Sequence, residues 1–468
     1  MNALIKYRND LVERNRLEYG VFYDQLKWLG HYEAIELEAE RDQILERLKD
    51  NIQTGFKETK VDTRNLSPGC RLCGAGEWSC LFINNRCNAH CFYCPAPQET
   101  IGVPETQTID FHTPEEYVAY IKKMGFKGVS FSGGEPFLTF ERVKTFLKAL
   151  RDAFGNELYI WMYTNGILST PQKLKELAEL GLNEIRFDIG ATNYNLKKVK
   201  QAIGIIPVVT VEVPAVPDEL EQLKKAVKEL AEAGLSHLNL HQMRLTPYNL
   251  PKLIDRNFQF AHGPRVTLPD SEITALKILE YTKQEQINLP VNYCSYAYKS
   301  RYQKSGFRNK LAPFIVKPFE EITEKGYIRN LAIVVSDWVQ FRQLFAQLPE
   351  SEQGEIQVND KQAKVLLKAK ILEHFLPVTK EILVSYTNMR LSEQTGDIPD
   401  VSRISLTSAR NIYIESGFVV NDLSLHPNQS NILLQLINAK QPKECFEDEQ
   451  LFIVWQHEQI EEGLPEYF

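Results

Sequence analysis

Between Cys80 and Cys294, short runs rich in β-branched and aromatic residues alternate with amphipathic stretches of helical period. That alternation confines the chain to repeated βα units, because parallel strands need a long crossover and a helix supplies it. The pattern predicts strands at 80–84, 128–132, 158–164, 184–189, 207–213 and 237–242. Helices are expected at 114–124, 140–153, 170–180, 194–202, 218–233 and 270–286, the first opened by Thr113-Pro114 with acidic residues in its first turn. Six βα units make a partial barrel, and the run 289–294 offers a seventh strand ending on Cys294. In such barrels the chemistry gathers at the C-terminal ends of the strands.

The flanks read differently. Residues 1–66 are charged and helical in pattern, an N-terminal extension. After residue 310 the alternation fades into strand-like runs (NLAIVVS, KEILVSY, RNIYIES, EQLFIVWQ), the pattern of a C-terminal α+β domain over 311–468 suited to gripping a substrate. The expected fold is therefore α/β, a partial (β/α)6 TIM-like barrel over 67–310 with additions at both ends.

Charge excludes some partners. Lys and Arg number 54 against 61 Asp and Glu, a net charge of -7, which gives no footprint for nucleic acid or an anionic membrane. No signal-peptide core opens the chain, so a cytoplasmic location is expected. Of 8 cysteines, six fall between Cys70 and Cys94, a density that in a reducing compartment points to metal rather than disulfides.

The sharpest motif is Cys87-x-x-x-Cys91-x-x-Cys94, directly after the first predicted strand. Three thiolates so spaced can hold three corners of a [4Fe–4S] cluster and leave one iron open to a ligand. The competing reading, structural zinc, normally needs four ligands in paired halves. Gly133-Gly134-Glu135-Pro136 follows the second strand, Thr164-Asn165-Gly166 ends the third, and Arg186 and Asp188 share one face of the fourth. Charged groups facing a barrel interior suit a ribose or carboxylate ligand; a strand-end ion pair is the plainer explanation. Glu212 is a weaker case of the same kind.

These motifs together resemble the radical S-adenosylmethionine (radical SAM) superfamily. The resemblance implies an iron–sulfur enzyme that uses a [4Fe–4S] cluster on Cys87, Cys91 and Cys94, with SAM on the open iron. It further implies that Tyr93 lies against the adenine, and that Gly133, Gly134 and Glu135 hold the SAM ammonium. Thr164, Asn165, Arg186 and Asp188 would complete the cofactor pocket. An electron donor such as flavodoxin or ferredoxin is implied as a partner. The stretches PGCRLCGAGEWSCLFINNRCNAHCFYCP, HLNLHQMRLTPYN and VNYCSYAYKSRYQ narrow the likeness to a branch related to pyruvate formate-lyase activases, which includes the methanogenesis-marker protein arginine methyltransferase. Peptide epimerases of the proteusin class are similar in layout. All of these precedents act on polypeptides.

Two further sets of cysteines stand apart. Cys70-x-x-Cys73, with Cys80 beyond, is a candidate auxiliary metal site; a buried thiol is the plainer reading of Cys80. Cys294, outside the cluster motif at a strand end, suits a hydrogen-atom donor, and a buried structural thiol is the alternative. Cys445 is a second, weaker donor candidate. His237 and His241 share a strand face, where His241 lines a pocket or is a rim histidine. Lys299, Arg301 and Arg308 form a basic stretch that either steers an acidic ligand or is a solvated face. The expected activity is modification of a ribosomal peptide by hydrogen abstraction, with L-to-D epimerisation at Cα first. Radical methylation with cobalamin, or a non-catalytic iron–sulfur sensor or scaffold, are the alternatives.

Overall fold

The computed structural model describes residues 2–394 and 401–468. Seven strands run parallel and neighbour one another in chain order: β1 (Trp78–Arg86), β2 (Gly128–Gly133), β3 (Tyr159–Thr164), β4 (Glu184–Phe187), β5 (Val208–Pro214), β6 (His237–His241) and β7 (Val291–Cys294). Helices Pro114–Met124, Phe140–Phe154, Pro171–Glu179, Lys197–Ala202, Leu220–Glu232 and Pro269–Gln284 fill the crossovers. The partial βα barrel predicted from the alternation is therefore present, with the seventh strand. Its edges are covered rather than joined: Lys60–Val61 pairs antiparallel with β7, and Glu105 pairs with Phe82 of β1.

Local chemistry sets the element ends. Thr113 caps the first crossover helix reciprocally with Glu116, Pro114 opens it, and Gly125 closes it in the left-handed region at φ 66. Period-two alternation then sorts the strands. Ile185, Phe187, Val209, Val211, Leu238 and Leu240 are buried on one face, and Glu184, Arg186, Thr210 and Asn239 are buried on the other. The polar face is the barrel interior.

A short helix, Pro68–Gly74, packs against that interior. Ser67 caps it, its Oγ accepting from the Cys70 N–H at 3.2 Å, and the same Oγ accepts from Arg186 Nη2 at 3.1 Å. The approach is close enough to require glycine at position 69, where a Cβ would lie 2.4 Å from Arg186 Nη2 and 3.2 Å from Trp161.

The chain divides into two compact bodies, Arg8–Ser300 with Glu462–Phe468, and Arg301–Glu461 with the N-terminal residues through Tyr7. These boundaries differ from the 66/67 and 310/311 expected from the sequence. The extension is not a domain of its own. Its helix His31–Leu48 lies on Pro269–Gln284 through Lys277–Glu40 (2.7 Å) and Arg47–Glu280 (2.5 Å), and buried Glu272 gathers Arg41 at 3.5 Å and the Tyr293 hydroxyl at 2.7 Å. At the other boundary, Arg308 on helix Lys304–Leu311 stacks 4.2 Å over the Tyr327 ring and donates to the Lys325 carbonyl at 2.7 Å, both partners being in the second body.

That second body is an antiparallel sheet with helices. Its strands are β8 (Ile328–Val335), β9 (Ile356–Asn359), β10 (Lys364–Leu367), β11 (Thr379–Ser392), β12 (Val401–Ser405) and β13 (Asn411–Leu425), in the order β9-β10-β8-β11-β13-β12. Residues 395–400 of the expected C-terminal domain lie outside the described residues. The run EQLFIVWQ, expected as a strand, is instead the start of helix Glu449–Glu458, because Asp448 caps it by accepting from the Gln450 and Leu451 N–H groups. The core of this body includes Leu331, Phe375, Val384, Leu433 and Cys445. No helix among the described residues is long and apolar enough to cross a membrane.

Arg186 is pinned by two carboxylates and cannot swing away from a new methyl group. Gly69→Ala should therefore destabilise the barrel body by roughly 1–3 kcal/mol, read as a lower midpoint in urea denaturation with an unchanged slope.

Candidate active site

The loop Cys87–Cys94 leaves the C-terminal end of β1 beside the glycines that end β2. A Cβ at Gly133 would lie 2.1 Å from the Asn84 carbonyl oxygen, and one at Gly134 2.0 Å from that of Arg86. The Gly134 and Glu135 N–H groups donate to those two carbonyls at 2.9 and 2.8 Å. The double glycine thus lets two strand ends touch. Glu135 itself is fully buried, and its carboxylate accepts from Phe137 N–H (3.0 Å), Thr164 Oγ1 (2.8 Å) and Asn165 N–H (2.7 Å). In this structure the carboxylate braces the ends of β2 and β3, and burial pushes its pKa up despite these donors.

Asn165 turns toward the cysteine loop. Its Nδ2 donates to Asn88 Oδ1 at 2.8 Å and to Cys87 Sγ at 3.5 Å, and the Ala89 N–H donates to the same sulfur at 3.4 Å. Tyr93 donates its hydroxyl to both Asp188 oxygens, at 2.9 and 3.0 Å, and its ring meets Phe92 edge-on at 5.1 Å. Burial raises the Cys91 thiol, with Asp188 adding to it, to about 12, and burial lifts Asp188 to about 6. Three residues that sequence reasoning passed over complete the frame. Gly190 has no room for a Cβ, which would sit 2.5 Å from the Tyr93 hydroxyl. Asn249 donates to the Tyr93 carbonyl at 3.2 Å, and Thr246 to that of Pro95 at 3.1 Å. Thr246 and Asn249 lie in the LTPYN segment, which was their only signal.

The donor set suits a cluster. Cys87, Cys91 and Cys94 lie close enough to repel one another as thiolates, and N–H groups point at Cys87 Sγ, the kind of contact that tunes a cluster sulfur. Among the described residues no three His, Cys, Asp or Glu side chains converge as one metal ion requires, whereas a cubane spreads its ligands more widely.

Inside the barrel, Arg186 is 3% exposed and binds Glu184 Oε1 and Glu212 Oε2, each at 2.8 Å, with Trp161 5.2 Å beneath its guanidinium. In this structure its guanidinium is engaged by the protein's own carboxylates. Burial opposes ionisation of Glu212, but Arg186 chiefly, with Lys299 and His241, holds it down at about 2. His241, in the register row of Cys294, is pushed by burial and then by Lys299 down to about 3 and is neutral at physiological pH. The rest of the basic stretch serves the second body: Arg301 pairs with Glu461 at 2.6 Å, and Arg308 sits on Tyr327. Cys445, fully buried in that body's core, has no access as a donor.

The remaining thiols form a separate group. Cys294 ends β7 opposite Lys60 in register, and Lys60 Nζ donates to Cys294 Sγ. Lys60 is 1% exposed and stands 4.9 Å over the Tyr298 ring, whose hydroxyl donates to Cys73 Sγ at 3.6 Å. Asn239 Nδ2 donates to Cys70 Sγ at 3.2 Å and to Glu212 at 3.2 Å. The Lys60 ammonium stands beside Cys294, in the neighbourhood of the Cys70 and Cys73 thiols expected as an auxiliary metal site. Burial would lower the Lys60 pKa, but Cys294, then Cys70 and Cys73, raise it above its ordinary value. Nothing in the TKVDT sequence signals Lys60.

Residues 81–249, which contain the cysteine loop and β2 through β6, match the Radical SAM superfamily. The chain carries a radical SAM domain. Such domains use a [4Fe–4S] cluster and SAM. A Methanocaldococcus jannaschii protein named as a glycyl-radical enzyme activating enzyme is 28% identical over 381 residues, covering 77% of this chain and 98% of that one. The PqqA peptide cyclase of Bradyrhizobium diazoefficiens is 30% identical over 106 residues, 23% of this chain and 26% of that protein. Among solved structures, anSMEcpe with bound AdoMet and a Kp18Cys peptide aligns with a TM-score of 0.29 at 19% identity, covering 34% of this chain and about half, 49%, of that one.

The radical SAM domain of this chain keeps a buried ion network whose pH dependence follows from its sign. Glu212 has a depressed pKa, so its contribution is present above about 4.5 and lost as pH falls towards about 2. Arg186→Met should cost about 3–5 kcal/mol at neutral pH by stranding the buried Glu184 carboxylate and the half-buried one of Glu212. In Glu212→Gln, the stability difference from the wild type, followed by urea denaturation, should shrink through that acid window.

Proposed function

We propose that this radical SAM enzyme removes a Cα hydrogen from a residue of a ribosomal peptide and returns one from Cys294, inverting the centre from L to D. The observation that carries this reading is the position of Cys294, a thiol outside the cluster loop at the C-terminal end of a barrel strand, its sulfur gripped by Lys60. Burial raises the Cys294 pKa against the pull of Lys60. When bound on Cys87, Cys91 and Cys94, the cluster and SAM supply the 5′-deoxyadenosyl radical that takes the substrate hydrogen.

The chain's own residues supply the frame. Asn165, Tyr93, Asp188 and Asn249 hold the cysteine loop, Gly133 and Gly134 let it approach β2, and the Arg186 network keeps the interior polar. A flavodoxin or ferredoxin is the fitting electron donor. Support for a peptide substrate comes from relatives: the PqqA peptide cyclase acts, by its name, on a peptide.

A second reading rests on the long alignment with the protein named as a glycyl-radical enzyme activating enzyme. It shares the first step, hydrogen removal from a polypeptide, but returns no hydrogen. Co-expression with candidate peptides in deuterated water separates the two. Epimerisation predicts a gain of about one mass unit per modified residue, because a thiol exchanges its hydrogen with solvent, and loss of that gain in Cys294→Ala. A backbone radical that survives unchanged in Cys294→Ala would favour the glycyl-radical reading. A gain of about fourteen units in ordinary water would instead indicate methylation and call for a cobalamin search.

A further inference from the structure

Lys60 and Cys294 stand directly opposite one another where the edge segment Lys60–Val61 pairs antiparallel with β7. Cross-strand partners so placed have Cβ atoms about 4.5–5.5 Å apart. The pair is locked from both sides: Val61 is opposite Tyr293 in the same register, and the Ser295 hydroxyl donates to the Thr59 carbonyl at 2.6 Å. Lys60 Nζ donates to Cys294 Sγ and lies 4.9 Å over the Tyr298 ring, and among the described residues no carboxylate is paired with it. Lys60 is 1% exposed whereas Cys294 is only half-buried, so a small oxidant can reach the sulfur while the nitrogen beside it is screened from water.

We infer that Lys60 and Cys294 form an oxidative modification site, at which a peroxide joins the lysine nitrogen to the cysteine sulfur as a sulfenamide. In the first step one peroxide oxygen enters the Cys294 S–H bond, the O–O bond breaks and the other oxygen leaves as water; the sulfur is oxidised by two electrons and the peroxide is reduced. The product is a sulfenic acid, which condenses with a thiol or a nitrogen within reach. Here the nitrogen held on the sulfur is that of Lys60. Its Nζ attacks, an S–N bond forms, the S–O bond breaks, and the hydroxyl leaves as water with one proton from the nitrogen. The ammonium's remaining surplus proton passes to solvent, and no electrons are exchanged in this step. The exchange is favourable in this setting, since a buried ammonium with no carboxylate beside it is replaced by a neutral bond. A dithiol reverses it, returning the amine and the thiol and itself becoming a disulfide. Joined in this way, Cys294 has no hydrogen to give. That consequence rests on the donor role proposed above, whereas formation of the bond does not.

The test needs no peptide substrate. The reconstituted holoenzyme is exposed anaerobically to graded hydrogen peroxide, quenched with an alkylating agent, digested without reductant and mapped by mass spectrometry. The expected product joins the peptides of Lys60 and Cys294 at about two mass units below their sum and disappears on treatment with dithiothreitol. In Lys60→Arg, which keeps the cation, it should be absent, and Cys294 should go on to sulfinic acid. Wild-type Cys294 found at every peroxide level only as free thiol, as sulfinic acid or in a disulfide with another cysteine would overturn the inference. If the crosslink forms but the reduced enzyme gives no deuterium uptake in the peptide experiment, the donor role fails while the modification site stands.

Discussion

One guanidinium organises the interior of the barrel body. Arg186 reaches along its own strand to Glu184, across to Glu212 on β5, and to the Ser67 hydroxyl that caps the short helix Pro68–Gly74. Two carboxylates buried without it would be costly, so strand positions and helix position are coupled through a single side chain. The helix places Cys70 and Cys73 where they are, and glycine at 69 is what that packing requires.

The site end of the barrel is organised differently, by hydrogen bonds to backbone. Glu135, Asn165 and Asn249 each spend a side chain on holding another segment's main chain or loop. A loop that must present three thiolates cannot be stabilised by a hydrophobic core of its own, and these buried polar groups take that task while satisfying one another. The GGEP and TNG segments accordingly serve as structural brackets in the geometry observed, with the glycines required because a Cβ at either would lie 2.0 or 2.1 Å from a β1 carbonyl oxygen.

Much of this was legible in the sequence, for identifiable reasons. Strand and helix positions followed from period-two and helical alternation, and the cysteine loop from its spacing. Asp188 faces the interior as strand alternation implied, and Tyr93 sits at the loop, although its visible partner is Asp188. What could not be read were partners distant in sequence. Arg186 was recognised as charged on an inward face, yet its satisfaction by Glu184 and Glu212 depends on strand register. Lys60 gave no signal, because a two-residue edge strand has no periodicity to detect. The bodies of the structure divide at other positions than the sequence pattern suggests, because contacts such as those of Glu272 with Arg41 and Tyr467 join segments far apart in the chain.

Lys60 and Cys294 are separated by 234 residues. On a growing chain, the cysteine loop and its Asn165 contact can form long before the last strand is synthesised, whereas the thiol group around Lys60 has to wait for β7 to dock against the edge strand. Contacts so distant in sequence are slow to close. The two sulfur groups, so near in composition, thus differ in how much of the chain each one needs: the loop contact is complete with Asn165, whereas the thiol group around Lys60 is complete only with β7.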